Sequence, residues 1–360
     1  MALADGELLG ELATEAAPDD GANDDAPPAV EACVPPHPAK ATASAADVKP
    51  SKYEAPLTRT IPPKTRLSKT INPDPGCSFS LRAAVRKHFL IAPARPSVIP
   101  METVTSHDGT VIAFDRLGAG DPLILVSGAS CDRQADAALA NALAERFDVV
   151  NYDRRGRGES TDTLPFAVDR EIEDISALLD VVGGAAILVG LSSGAALAAR
   201  AAEKLPVRAL VMWEPPYPTD EQGLAAATAY TAALKDRLEA GDQDGAFALF
   251  LQRVGLPEEA IAGMRHSPYW PQGVRLAPTL AYDDAALGGS IPADVFGAIS
   301  VPALVLAGGA SPKMLQDGAR ATAEAIRGSV FDTLEGQTHD AAADVLAAAV
   351  VDFTAQLPAG

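Results

Sequence analysis

From residue 123 onward, five short, almost wholly apolar runs each end in a turn: Leu123–Val126, Val149–Tyr152, Ala186–Val189, Ala209–Met212 and Ala303–Leu306. A strand with one wet face alternates apolar and polar residues, whereas a continuous apolar run needs cover on both faces. The stretches between these runs, including Ala135–Arg146, Asp169–Val181, Ala195–Lys204 and Leu315–Arg327, carry helical spacing. Buried strands alternating with helices define the α/β class, with a mostly parallel sheet and helices on both faces. Ahead of them, Thr103–Thr105 and Val111–Phe114 flank His107-Asp108-Gly109 and read as a hairpin. Pro218 to Ile299 is too long for a simple crossover and has helical pattern without a strand, so residues 218–299 are expected to form an inserted helical cap.

The first hundred residues read differently. Residues 1–50 hold ten acidic and two basic residues, residues 51–98 hold two acidic and nine basic ones, and 15 of the 29 prolines fall before residue 101. So little apolar surface cannot offset the entropy of ordering, so residues 1–98 are expected to be a disordered extension. The readings that stay open are a basic helix over Leu81–Phe89 that docks on a partner, a solvated extension, or upstream sequence translated from an early start. The patterned domain runs over 101–360.

The formal net charge of −19 opposes nucleic acids and anionic membranes, which attract positive fields. Three cysteines, Cys33, Cys77 and Cys131, are too few for a disulfide framework. Neither CxxC nor HExxH spacing occurs, so no motif-type metal site is expected. No apolar run reaches membrane-spanning length and no secretory signal is visible, so the expected location is cytoplasmic.

Chemistry concentrates at Gly190-Leu191-Ser192-Ser193-Gly194, between a buried strand and a small-residue helix. G-x-S-x-G at that junction forces a tight turn that presents Ser192 at the carboxyl edge of the sheet. A serine hydroxyl is a weak nucleophile until a base takes its proton. Of the five histidines, His37 and His88 lie in the extension, His107 in the hairpin turn and His266 in the cap. His339 follows the last apolar segment and its turn, which addresses it to the edge that carries Ser192.

These features together resemble the α/β-hydrolases over about Glu102 to Phe353. The resemblance is carried by Leu123–Ala129, by Tyr152-Asp153-Arg154-Arg155-Gly156-Arg157-Gly158-Glu159-Ser160, by the turn at Ser192, by Val301–Gly308 and by Glu335-Gly336-Gln337-Thr338-His339. It implies a serine hydrolase in which Ser192 attacks, His339 acts as base, and Asp153 and Arg154 are structural. Two departures matter. Ser127-Gly128 replaces the common His-Gly, but the oxyanion donors are backbone N–H groups, so Ala129 and Ser193 still serve. Where the family usually keeps its acid, this chain has Gly308-Gly309-Ala310-Ser311-Pro312. Glu214, at the end of the strand after the nucleophile helix and ahead of Pro215-Pro216, is the expected substitute, as in some relatives such as haloalkane dehalogenases. Asp317 and Asp220 are reserves, and Asp340 adjoins the histidine but is expected to point elsewhere.

The implied reaction is acyl transfer through an acyl-enzyme with no metal or organic cofactor. Phe247, Phe250, Met264, Tyr269, Trp270, Tyr282, Trp213 and Tyr217 are shared between an apolar pocket and cap packing. The net −18 from residue 101 onward disfavours polyanions, so a small uncharged ester or lactone is the expected substrate. Asp283 and Asp284 read as a cap turn. Oligomeric state is not legible. A lyase, cyclase or perhydrolase on the same fold, or a non-catalytic binding protein, remains open. A short-chain dehydrogenase does not, because the glycines after Val126 stop at Gly128 and no Tyr-x-x-x-Lys pair exists.

Overall fold

Eight strands form one sheet in the order β1-β2-β4-β3-β5-β6-β7-β8, numbered along the chain. They span Glu102–Thr105 (β1), Val111–Gly118 (β2), Asp121–Val126 (β3), Phe147–Tyr152 (β4), Ala186–Leu191 (β5), Val207–Trp213 (β6), Ala303–Gly308 (β7) and Val330–Leu334 (β8). The structure is a computed structural model and describes residues 101–357. The reading of residues 1–98, including the basic stretch 81–89, lies outside the described residues.

β2 runs antiparallel to both neighbours, and β3 through β8 pair in parallel. The apolar runs are covered on both sides, as their composition requires. In β3, Ile124 and Val126 join one core cluster while Leu123 and Leu125 join the other, the period-two alternation of a strand. The first cluster is closed by Val168–Val181 (α2), Ser193–Lys204 (α3) and Lys313–Ala325 (α10), the second by Ala137–Leu143 (α1) and Ala343–Thr354 (α11).

Element boundaries follow local chemistry. α10 starts two residues earlier than its spacing predicts, directly after Pro312, and ends where Ile326 turns extended. α1 is shorter than expected, because the chain turns after Ala144 to enter β4. Gly109, at φ +88, makes the hairpin turn, and the Asp108 carboxylate accepts from the Thr110 N–H at 3.0 Å.

Between β6 and β7 lie six α-helices, Glu221–Glu239 (α4), Gln243–Arg253 (α5), Glu258–Met264 (α6), Trp270–Leu276 (α7), Leu280–Leu287 (α8) and Ala293–Ala298 (α9), with a 3-10 turn over Ala277–Thr279. They enclose their own apolar cluster, with Leu234, Phe247, Leu251, Ile261, Trp270 and Leu280 at its centre. None of the helices among the described residues is long and apolar enough to cross a membrane.

The sheet order places the site. β4 and β5 lie on opposite sides of β3, so the loops after β3 and β5 leave the carboxyl edge in different directions and open a crevice there.

Candidate active site

At the carboxyl end of β5 the chain reverses into α3 through Ser192, whose φ of 53° and ψ of −123° fall where L-residues rarely go. Holding a residue there costs on the order of 1–3 kcal/mol. Surrounding contacts enforce it. The Ser192 N–H donates to the Trp213 carbonyl at 2.8 Å. A Cβ at Gly190 would overlap Ala195, and one at Gly194 would overlap the Val126 and Ser127 carbonyls, so only glycine lets α3 seat this close to the sheet. Gly194→Ala is therefore expected to destabilise the fold by about 2–3 kcal/mol, read as a lower urea midpoint. An unchanged midpoint would mean that the turn relaxes at no cost.

The loop after β3 presses on this turn. A Cβ at Gly128 would lie 3.2 Å from both the Leu191 carbonyl oxygen and Ser192 Cβ. Ala129 and Ser193 line one cavity with Ser192 and His339. The Ala129 N–H has no hydrogen-bond partner among the described residues. Ser193 is the first residue of α3, a position whose N–H has no intrahelical partner. Both N–H groups are thus free to receive an oxyanion.

His339 sits on the loop between β8 and α11. That loop is pinned at three points: Gly309 N–H to the Leu334 carbonyl and Ala310 N–H to that of Gln337, both at 2.9 Å, and Trp213 Nε1–H to the His339 carbonyl at 2.9 Å. The imidazole Nδ1 lies 2.6 Å from Glu214 Oε2. Glu214 is fully buried at φ 44°, and its Oε1 accepts from the Gly308 N–H at 2.6 Å. Burial alone would raise its pKa, but His339, the nearby Ser311 hydroxyl and the Gly308 N–H together hold it below the usual carboxylate range. Ser311 stands outside strict hydrogen-bond geometry, yet near enough to contribute. Because β6 and β7 are paired neighbours, a carboxylate ending β6 reaches the same imidazole as one ending β7. With Nδ1 engaged, Nε2 is the nitrogen left for Ser192. Ser192 and His339 are not hydrogen-bonded to each other, a contact that in many hydrolases tightens only around substrate.

The other carboxylates singled out from the sequence do not bond the imidazole. Asp317 pairs with Lys313 on the surface, Asp220 caps α4 by accepting from the Gly223 N–H at 2.7 Å, and Asp340 is exposed at the cavity wall. Asp153 and Arg154 are buried and internally bonded. Asp153 accepts from the Arg133 and Glu159 N–H groups at 2.7 and 2.9 Å, and Arg154 makes a two-pronged pair with Glu171 at 2.7 and 2.8 Å.

The cavity holds about 710 Å³ and its wall is mostly apolar. Of the eight aromatic and methionine side chains singled out from sequence, Trp213, Tyr217 and Phe250 line it. Phe247, Trp270 and Met264 pack in the cap core, Tyr269 is exposed, and Tyr282 stacks on Phe166. Tyr230 also lines the cavity and escaped the sequence reading, because α4 shows little amphipathic pattern to orient it. Cys131 borders the same space, but burial pushes its thiol up to about 12, so it stays protonated and unreactive at neutral pH. Among the described residues, no group of three or more His, Cys, Asp or Glu is arranged to hold a metal ion.

One expectation needs correcting. Asp283 and Asp284 do not form a turn; both lie within α8. Asp283 is buried and accepts from Arg154 at 2.5 Å, Arg157 at 2.7 Å and the Ser193 hydroxyl at 2.9 Å. Its partners lie at least 90 positions away in sequence, so local pattern carried no sign of them.

A sheet of this order, a strained serine turn at its carboxyl edge and an imidazole bonded to a buried glutamate leave one class to consider. A family model described as "Alpha/beta hydrolase family" matches residues 123–352. An alpha/beta hydrolase from Sphaerobacter thermophilus is 43% identical, with a TM-score of 0.64, over 70% of this chain and 100% of that one. The chain belongs to the alpha/beta hydrolase family. Its fold is also shared by a hydrolase from Pseudomonas aeruginosa (24% identity, 71% and 98% of the two chains, TM-score 0.56). An esterase from Thermogutta terrifontis shares it as well (22% identity, 72% and 99%, TM-score 0.54).

Proposed function

We propose that the protein is a serine hydrolase that cleaves a small uncharged ester or lactone through Ser192, His339 and Glu214. The observation that carries this reading is the 2.6 Å contact between Glu214 and His339 Nδ1, in a cavity that Ser192 also lines. Glu214 holds the imidazole so that Nε2 accepts the Ser192 proton as Oγ bonds to the carbonyl carbon. The carbonyl electron pair moves to oxygen, which the Ala129 and Ser193 N–H groups receive. The charge on Glu214 stabilises the imidazolium meanwhile. The C–O bond to the leaving group then breaks, with His339 Nε2 supplying its proton. Water gives a proton to the same nitrogen as its oxygen bonds to the acyl carbon; the C–Oγ bond then breaks, Nε2 returns the proton to Ser192 Oγ, and the carboxylic acid leaves. Each oxyanion donor is worth about 2.7–4 kcal/mol in the transition state.

An apolar wall supports a neutral substrate, and a cavity of about 710 Å³ is the size of pockets that take small organic ligands. The acidic balance of residues 101–360 also favours neutral over anionic esters.

The test pairs a fluorophosphonate with a panel of p-nitrophenyl esters and lactones of graded acyl length. The expected result is labelling at Ser192 and turnover of neutral esters at least about tenfold faster than of hemiesters bearing a free carboxylate. Absence of both labelling and turnover would sink the catalytic reading, and a preference for the anionic esters would sink the substrate class.

A further inference from the structure

Beneath the oxyanion site lies an ionic cluster that the steps above do not use. Arg154 and Arg157 leave the loop after β4 and are each 1% exposed. Burying two guanidinium groups is costly unless their protons find partners, and these partners converge on the two segments that carry the oxyanion donors. Arg157 Nη1 donates to the Gly128 carbonyl at 2.7 Å, and Arg154 Nη1 to the Ser127 carbonyl at 3.2 Å.

The Gly128 carbonyl and the Ala129 N–H belong to the same planar peptide. In a trans peptide they point in opposite directions and can only rotate together. A cation bonded to that carbonyl fixes the plane from one side and polarises the amide, making its N–H a stronger donor on the other. The second donor is tied through its side chain. The Ser193 hydroxyl donates to Asp283 Oδ1 at 2.9 Å, and the same carboxylate receives Arg154 at 2.5 Å and Arg157 at 2.7 Å. Burial would push Asp283 up, but the Arg157 and Arg154 charges hold it below the usual range, so it is ionised at neutral pH. Asp283 belongs to α8, a cap helix.

We propose that Arg157 and Asp283 are positioning residues that aim the two oxyanion donors, Arg157 through the Gly128–Ala129 peptide and Asp283 through the Ser193 side chain. The inference rests on the serine-hydrolase reading above. It makes α8 part of the catalytic floor: its carboxylate joins the loop after β3 to the first turn of α3, so the geometry of the oxyanion hole depends on the cap being seated.

The experiment uses the full chain carrying Arg157→Lys, Asp283→Asn or Ser193→Ala. Active sites are titrated with a fluorophosphonate, and kcat and KM are measured on p-nitrophenyl acetate. Affinity is measured for a trifluoromethyl ketone, whose carbonyl carbon bonds to Ser192 Oγ while its oxygen takes the electron pair and His339 keeps the proton. Arg157→Lys keeps the charge but lacks the planar fork that spans Gly128 and Asp283. It is expected to lower kcat per titrated site about tenfold to hundredfold, the scale for a misplaced catalytic group. KM should stay within about twofold, and ketone affinity should weaken by the same factor as kcat/KM. Ser193→Ala retains the backbone N–H and removes one small hydroxyl, so it decides the matter if the charged variants do not fold. Its expected loss is about tenfold with the same pattern. Unchanged kcat per titrated site with only a lower thermal midpoint would reduce the cluster to a structural brace and overturn the proposal alone. A wild-type chain that the phosphonate does not label at Ser192 overturns the hydrolase reading and this inference together.

Discussion

Ser192→Ala is expected to lower kcat/KM for ester hydrolysis by about 10⁴-fold or more, because the hydroxyl proposed to form the acyl-enzyme is gone and the neighbouring Ser193 hydroxyl is held by Asp283 at 2.9 Å. The fold should survive. Alanine keeps the Cβ that the positive φ already accommodates, and the Ser192 N–H bond to the Trp213 carbonyl is a backbone contact that the substitution leaves in place. The variant should retain its far-UV circular dichroism and bind a neutral ester with little change, since Ala129, Ser193 and the apolar wall remain. It should no longer react with a fluorophosphonate. Turnover at the wild-type rate would remove Ser192 from the reaction and with it the proposed mechanism.

The parts of this site legible in the sequence are those whose geometry is set by neighbours in the chain. Gly190 and Gly194 around Ser192 announce a turn that only small flanking residues permit, and the fully apolar run before them announces a buried strand. Glu214 was legible partly from the chain, where it follows a buried strand and precedes Pro215 and Pro216, and partly from the resemblance, which allows an acid after that strand. The structure brings it within 2.6 Å of His339 Nδ1. Ser311 lies three residues past the end of β7, where its hydroxyl adds to the surroundings of the Glu214 carboxylate from the neighbouring strand. Asp283 was not legible. An aspartate in the cap insert reads as a turn residue until two arginines from one distant loop and a serine from the first turn of α3 fold around it. Phe247 and Trp270 show the same limit, since an aromatic in a cap helix serves core or pocket equally well until neighbouring helices select its face. Pattern reports which side of an element is buried, but not which distant group it meets.

Glu214→Gln tests the least conventional part of the site. The substitution is nearly isosteric, so the buried pocket and the Gly308 N–H contact to the side-chain oxygen are kept. What changes is the partner offered to His339 Nδ1. An amide N–H₂ turned toward that nitrogen makes it an acceptor, which moves the ring proton to Nε2, where it blocks acceptance of the Ser192 proton. A glutamine also leaves the imidazolium of the transition state without a counter-charge. The expected loss is about 10⁴-fold in kcat, the scale found when a triad carboxylate becomes an amide. Asp317→Asn, at an exposed pair with Lys313, should leave turnover unchanged, and the reverse pattern would reassign the acid. Stability gives an independent reading. Because the folded-state pKa of Glu214 is depressed, its carboxylate stabilises the native state above the unfolded-state value. That contribution is lost as pH falls through the lower folded value. The urea midpoints of wild type and Glu214→Gln should therefore differ most near neutrality and converge in acid. A gap that widened as pH fell would mean that Glu214 is held protonated, and so could not hold the imidazolium at neutral pH.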